Sequence, residues 1–449
     1  MDFNVKRGID FQNRLWDSSL AKKLRGAFGK SKPINKFTFF GIISVSIINA
    51  ILVSAFFRKD LSPSFALSVF WKFSANLVSN IGILSTYQFY LILIIGSLLL
   101  APITIYLFAR RIAGRNELTA FLSTLFFILP NQLTLEKPSL LTGVLLGDGP
   151  HIIILSFLPL FLLYFRSFID TGMYFWGFFA VIGTTLIALF SPFGFLNLLI
   201  FMIIITISEG FMGGFRIKFS RLFFILIASF GLSNFWYNPR IIADIIKLES
   251  FRIILIHIWN NFPILIPALP VLGSLAFLIF DRREKLKPVF VGISLFIIYY
   301  FILGLTSSIN TSGVLMSQRL NPEFALSKAF ILGLTFSFII EFLVFKIRDY
   351  RSKQNNKMMI WALLPVIGII IIITGVFVAG LVNIGKMITE IRESQVYSLA
   401  TPGIGSIERR ELFSDMLSVF SVFISLITLA GLLYLVKFFP GMSFYKKEK

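Results

Sequence analysis

The chain has 449 residues, of which 56% are apolar, 16% aromatic and only 14% charged, and its formal net charge is +20. A soluble domain typically carries about 25% charged residues; together with a mean hydropathy of +0.85, this excludes a string of ordinary water-soluble domains and makes the bilayer the solvent. The complete lack of cysteine removes disulfide frameworks, thiolate metal sites, iron–sulfur clusters and cysteine nucleophiles.

Residues 1–36 form a basic amphipathic segment. Trp16, Leu20, Leu24 and Phe28 recur every four residues with Lys22, Lys23 and Arg25 between them, the pattern of a helix lying on an anionic membrane face. A solvated basic tail is the alternative. The first apolar run begins only at Phe37 and lacks a small-residue cleavage site, so it reads as a retained helix and not as a secretory signal.

From Phe37 onward the hydropathy predicts an all-α polytopic membrane protein with about twelve spans, each of roughly the length a hydrocarbon core of about 30 Å requires. They fall at 37–57, 87–109, 118–135, 151–165, 175–190, 193–208, 222–236, 263–280, 288–305, 325–345, 358–381 and 416–436. The fifth and sixth are short and joined only by Ser191 and Pro192, which leaves open a hairpin that does not cross fully. With the N-terminus inside, more than two thirds of the 42 Lys and Arg residues fall in inner segments while the 22 acidic residues divide evenly. Cytoplasmic loops carry such an excess, so both termini are expected in the cytoplasm of a multi-pass plasma-membrane protein. The expected organisation is therefore a cytoplasmic segment 1–36, a transmembrane domain 37–436 and a cytoplasmic basic tail 437–449. The longer connections, 58–86, 131–150, 237–262, 306–324 and 382–415, lie outside. Two stretches of these, Ser64 to Leu84 and Ile241 to Trp259, alternate apolar and polar residues at helical spacing and suit helices along the outer surface.

Ionisable residues inside the predicted spans are few. Glu341 and Lys328 each fall near an end of the tenth span, where a charged head reaches the interface. That weakens an ion-coupled transporter, although Pro263, Pro267 and Pro270 supply helix breaks of the kind transporters use. The positive charge is accounted for by orientation, and no nucleic-acid motif accompanies it.

Three outer places carry candidate chemistry. Asp60, in Arg58-Lys59-Asp60, is the only acid of the first outer loop; two flanking cations keep a carboxylate ionised, as a general base on a bound hydroxyl requires. An interfacial charge cluster that anchors the helix end is the plainer reading. In Gly147-Asp148-Gly149-Pro150-His151 the glycines let the backbone turn sharply beside Asp148, and Pro150 suits the first turn of the next helix. Asp148 serves equally well as that helix's N-cap. His151 has no second His or Cys nearby, so no metal site is assigned. In Ser317-Gln318-Arg319 the guanidinium suits a bidentate grip on phosphate, or a place among headgroups. Lys328, two helical turns further in, is harder to explain as a headgroup anchor; with Arg319 it makes a small anion site.

Four stretches together resemble polytopic membrane glycosyltransferases of the GT-C superfamily: Tyr106 to Pro130, Gly147 to Phe168, Leu232 to Ile241 with its Phe-Trp-x-x-Pro helix end, and Ser317 to Leu334. The resemblance implies a transferase that uses a sugar on a polyprenyl-phosphate carrier in the membrane, with an outward-facing active site. It implies Asp60 as the base, Asp148 as a second acidic contact and Arg319 as the phosphate ligand, with Lys328 and His151 beside the carrier and a divalent metal left open. Charge develops on the leaving oxygen, and a fixed cation there lowers the barrier. A transporter or flippase of a lipid-linked or small substrate, and a non-catalytic membrane assembly subunit, are the alternatives.

Overall fold

A backbone surrounded by hydrocarbon must satisfy its own polar groups, which favours helices, and the described part of this chain is all-helical. The structure is a computed structural model and describes residues 36–56, 69–82, 84–129, 149–211, 213–239, 256, 259–260, 287–307, 321–352, 358, 363–372, 374–375, 378–379 and 416–439. Its helices are α1 (Lys36–Phe56), α2 (Val69–Asn80), α3 (Thr86–Ile112), α4 (Glu117–Ile128), α5 (Gly149–Thr171), α6 (Tyr174–Phe190), α7 (Pro192–Phe211), α8 (Phe215–Ser233), α9 (Lys287–Ser307), α10 (Asn321–Ser352) and α11 (Met416–Phe438).

Among the described residues five helices are long and apolar enough to cross a membrane: Tyr87–Ile112, His151–Thr171, Gly194–Phe211, Pro322–Tyr350 and Met416–Phe438. Shorter apolar helices include Tyr174–Phe190, Lys287–Leu303 and Leu363–Ile372. The helix predicted near Ser64 to Leu84 is present as α2, which packs on α3 and α6. Residues 1–35, most of 241–259 and the predicted span 263–280 lie outside the described residues.

Local sequence sets where helices start and stop. Ser85 and Gln88 close a reciprocal capping box at the head of α3, satisfying donors that the first turn leaves open. Arg110 and Arg111 occupy its last turn, where cations complement the helix dipole. Gly114 and Arg115 then take positive φ and turn the chain, and the side chain of Asn116 accepts from the Thr119 amide to start α4.

Proline placement explains one helix contact. Pro102 lies inside α3, and with no N–H it leaves the carbonyl four residues earlier without its helical donor. That carbonyl belongs to Leu98, and the Asn49 amide of α1 donates to it at 2.8 Å. Close approach is decided elsewhere by a small residue. A Cβ added to Gly333 of α10 would stand 2.0 Å from Ser123 Oγ and 2.7 Å from the Ser123 backbone nitrogen of α4, so glycine alone permits this contact, as at small-residue interfaces between membrane helices. α4 and α10 form the most extensive helix pair.

α3, α5 and α7 run opposite in direction to α8 and α9. The C-terminal ends of α3, α5 and α7 meet the N-terminal ends of α8 and α9 through Arg111, Asp170, Glu209, Lys218 and Lys287. At the other end the heads of α5, α7 and α10 meet the C-terminal half of α9 through His151, Asn197, Glu323 and Tyr299.

Candidate functional site

The second of these junctions is a polar cluster enclosed by apolar helices. Glu323 stands in the first turn of α10 just after Pro322, a position where proline fits and a carboxylate is favoured by the helix dipole. Its side chain is 0% exposed, and Oε1 lies 2.8 Å from His151 Nε2, itself 1% exposed. Asn197 of α7 donates its amide to the same oxygen at 2.6 Å. Tyr299 of α9 donates its hydroxyl to Asn197 Oδ1 at 3.3 Å. His151 Nδ1 faces Ser191 Oγ at 3.4 Å, and that hydroxyl also accepts from the Gly194 amide to open α7. Glu323 Oε2 has no hydrogen-bond partner among the described residues. Four helices are thus tied at one end by side chains that apolar surroundings tolerate only when paired.

The predicted site residues divide between what is described and what is not. Asp60, Asp148 and Arg319 lie outside the described residues. His151 is buried with its two ring nitrogens directed at Ser191 and Glu323. Lys328 is half-buried and holds its ammonium 4.3 Å from the centre of the Phe324 ring, and that ring stacks on Phe296 at 5.4 Å. Such a cation–π contact stabilises a cation away from water.

Buried ionisable side chains are more numerous than span-by-span hydropathy suggests. The reading by hydropathy leaves Glu323 in the loop 306–324, because its window discounts a charged first turn, and gives Asn197 and Tyr299 no role. An amide near the head of one apolar run and a phenol in the C-terminal half of another, which the predicted topology puts toward the same membrane face, are the signal that points to them.

At the opposite end lies a denser set of charges. Arg166 Nε lies 3.2 Å from Glu209 Oε1, which Lys287 also pairs with, and Lys218 approaches Glu209 Oε2 at 3.8 Å. Asp170 adds contacts at 3.7 Å to Arg111 and 3.9 Å to Arg166. The guanidinium of Arg166 donates to the Arg111 carbonyl and that of Arg221 to the Ile169 carbonyl, so these cations also close the last turns of α3 and α5, whose final carbonyls lack helical donors. Burial pushes the Lys218 ammonium below its ordinary 10.5, opposed by the Glu209 and Asp170 carboxylates. This junction is self-satisfied and reads as structural.

At the His151 end of the bundle, where α6 runs into Ser191, an apolar cavity of about 420 Å³ opens between α6, α8 and α11, lined by Leu186, Leu189, Leu232, Val422 and Leu426 among others. Leu186 and Leu426 are exposed at its rim while Leu189 and Leu232 form a buried floor. The polar groups nearby are committed internally: Thr185 Oγ1 donates to the Val181 carbonyl, and Ser425 Oγ donates to the Gly231 carbonyl. The cavity therefore offers a ligand nothing but apolar surface. Among the described residues no group of three His, Asp or Glu side chains forms that could hold a metal.

No protein-family model matches the chain, and neither a curated protein nor a solved structure gives a significant match to it. The fold and its buried clusters define an all-helical protein with several helices suited to a membrane.

Proposed function

We propose that the chain is a GT-C-like glycosyltransferase of the plasma membrane, with about twelve spans and both termini cytoplasmic, which moves a sugar from a polyprenyl-phosphate carrier to an acceptor at the outer face. In this reading Asp60 takes the proton of the acceptor hydroxyl. The freed oxygen attacks the anomeric carbon, and the bond from that carbon to the carrier phosphate breaks with its electron pair on the phosphate. Arg319 and Lys328 offset the charge that develops there, and Asp148 is the second acidic contact.

The observation that carries the reading is the contact between His151 and Glu323. Asp148 lies three residues before His151 and Arg319 four residues before Glu323, so the roots of the two loops assigned to the outer active site are bound to one another. His151, engaged on both ring nitrogens, serves by holding the root of the Asp148 turn. The apolar cavity at the same end suits the isoprenoid tail of the carrier, since it presents no polar group that hydrocarbon would leave unpaired. Orientation is supported by the gathering of Arg111, Arg166, Lys218 and Lys287 at the opposite end, the end that the basic-residue excess places inside.

The test is sugar transfer in proteoliposomes supplied with radiolabelled polyprenyl-phosphate sugars, comparing the unmodified chain with Asp60→Asn and Asp148→Asn. Transfer by the unmodified chain, abolished by Asp60→Asn and reduced by Asp148→Asn, is the expected result. Transfer that survives both substitutions removes the assigned residues. Movement of the lipid across the bilayer without transfer replaces the transferase by a flippase.

A further inference from the structure

The end of α8 and the middle of α11 share an arrangement that a plain helix contact does not need. In an unbroken helix the Phe235 amide would donate to the Gly231 carbonyl four residues earlier. Here it donates to Ser425 Oγ of α11 at 2.9 Å, and that hydroxyl donates to the Gly231 carbonyl at 3.0 Å. The serine therefore stands inside one rung of the α8 ladder, an insertion of the kind that bends or ends helices. We propose that α11 is a lateral gate to the apolar cavity, latched to α8 by the Ser425 hydroxyl, and that a hydrocarbon chain passes this gate from the bilayer.

The latch releases without leaving a backbone group unpaired. Asn234 already has helical dihedrals, φ −63° and ψ −28°, so closing the ordinary bond from the Phe235 amide to the Gly231 carbonyl needs little backbone rotation. Ser425 Oγ in turn has a second acceptor on its own helix, the Ser421 carbonyl at 3.2 Å, which is the usual back-bond of a serine within a helix. Both donors are satisfied with α11 docked and with α11 swung away. Hydrocarbon surroundings demand that of any helix that moves.

α11 is also lightly held. Only 17% of its membrane-suited stretch is buried within the protein, and among the described helices it packs chiefly on α8 and α6. A further tie to α8, from the Asn238 amide to Ser418 Oγ, is long at 3.4 Å. Gly231 makes room for the docked position, since an added Cβ would stand 2.7 Å from Thr428 Oγ1.

The gate faces hydrocarbon. Val422, Leu426 and Leu429 form the α11 side of the cavity, opposite Ile182 and Leu186 of α6. They lie roughly 9–20 Å along the helix from Met416, well inside a hydrocarbon core of about 30 Å. Phe423 and Ile427, both exposed, continue the apolar surface of α11 beyond the rim. What meets this mouth is therefore lipid, and a lining whose polar groups are committed elsewhere admits only its chain. The proposal takes from the transferase reading only that the cavity holds such a chain, whether it belongs to a polyprenyl phosphate or to a phospholipid.

The chain contains no cysteine, so Ile227→Cys and Ile427→Cys give a clean pair of sites for spin labels on α8 and α11. Both positions are exposed, at 70% and 69%, and neither lines the cavity. Double electron–electron resonance on the full-length protein in micelles reads the spacing between the two helices. Two populations are expected, with the shorter spacing dominant. Ser425→Ala should raise the wider one roughly fivefold, as the loss of one hydrogen bond implies, and Ser425→Thr, which keeps the hydroxyl, should restore the original ratio. In Ser425→Ala the Phe235 amide should stay protected from hydrogen exchange, because the Gly231 carbonyl takes it up; fast exchange there means that the serine only patches the helix end, and overturns the latch. Polyprenyl phosphate and phosphatidylcholine are added to the unmodified chain in separate arms. Widening by polyprenyl phosphate alone supports the gate and the carrier together, since a ligand shifts the population toward the form that holds it. Widening by phosphatidylcholine to the same extent supports the gate and removes the carrier from it. A spacing that moves with neither lipid, or that is the same in Ser425→Ala, overturns the gate. Should Ser425→Ala fail to fold, the two lipid arms decide the matter alone.

Discussion

Glu209 of α7 and Arg166 of α5 meet at 3.2 Å, and the same carboxylate is shared by Lys287 and approached by Lys218. One anion therefore joins α5, α7, α8 and α9 at the end of the bundle opposite His151. Removing one member of such a buried set leaves the others uncompensated, a loss of about 3–5 kcal/mol. Glu209→Gln is accordingly expected to lower the resistance to dodecyl sulfate unfolding by that order, and replacing Arg166 by Met as well should not recover it, because Lys287 and Lys218 still lack their anion. A Glu209→Gln protein as stable as the unmodified chain would show that the junction contributes nothing.

The α4–α10 interface rests on Gly333. The Cβ of Gly333→Ala would meet the Ser123 main chain at 2.7 Å, and a backbone cannot rotate aside as a side chain can, so the helices must part at a cost of about 1–3 kcal/mol. Gly96 of α3 has no atom within 4 Å of an added Cβ, and alanine there is expected to be neutral or to stabilise by up to about 1 kcal/mol. Paired thermal melts of the two variants decide it; equal midpoints would remove the close-approach argument.

Filling the apolar cavity separates the tail-binding role from chemistry. Leu186→Trp places bulk at a rim that is already exposed, so folding should be little affected. In the transfer assay KM for the polyprenyl-phosphate sugar is expected to rise several-fold with kcat unchanged, the signature of binding lost equally in ground and transition states. Unchanged KM assigns the cavity to something other than the carrier.

Lys218 gives a pH dependence of known sign. Its folded value is lowered from 10.5, chiefly by burial, so just below 10.5 the unfolded chain binds more protons than the folded one, and stability attributable to this group rises with pH through that window. Lys218→Met should flatten the slope in alkaline melts while leaving the slope near neutrality unaltered. A slope identical in both proteins contradicts the assignment.

Much of the bundle is legible in hydropathy. The span predicted at 37–57 overlaps α1 (Lys36–Phe56), and the predicted starts at 87, 288 and 416 lie within a residue or so of helix starts at Thr86, Lys287 and Met416. Capping and turn residues at Ser85, Gly114 and Asn116 mark their own places because each acts within a few positions of chain. The carboxylate of Glu323 is misplaced into a loop for the same reason in reverse: a window average treats a charge as an argument for water and has no term for a partner supplied by another helix.

What the sequence determines unaided is the solvent, the helical class and the positions of most helices, since these follow from local composition and from the need to satisfy the backbone within each segment. Which polar residues belong together was decided only in three dimensions. His151 and Glu323 stand on helices separated by more than a third of the chain and scarcely packed on one another. Asn197 and Tyr299 acquire a role only through that meeting. Partnership between buried charges depends on long-range geometry, because an apolar interior admits them in pairs and the chain order does not say which pairs will form.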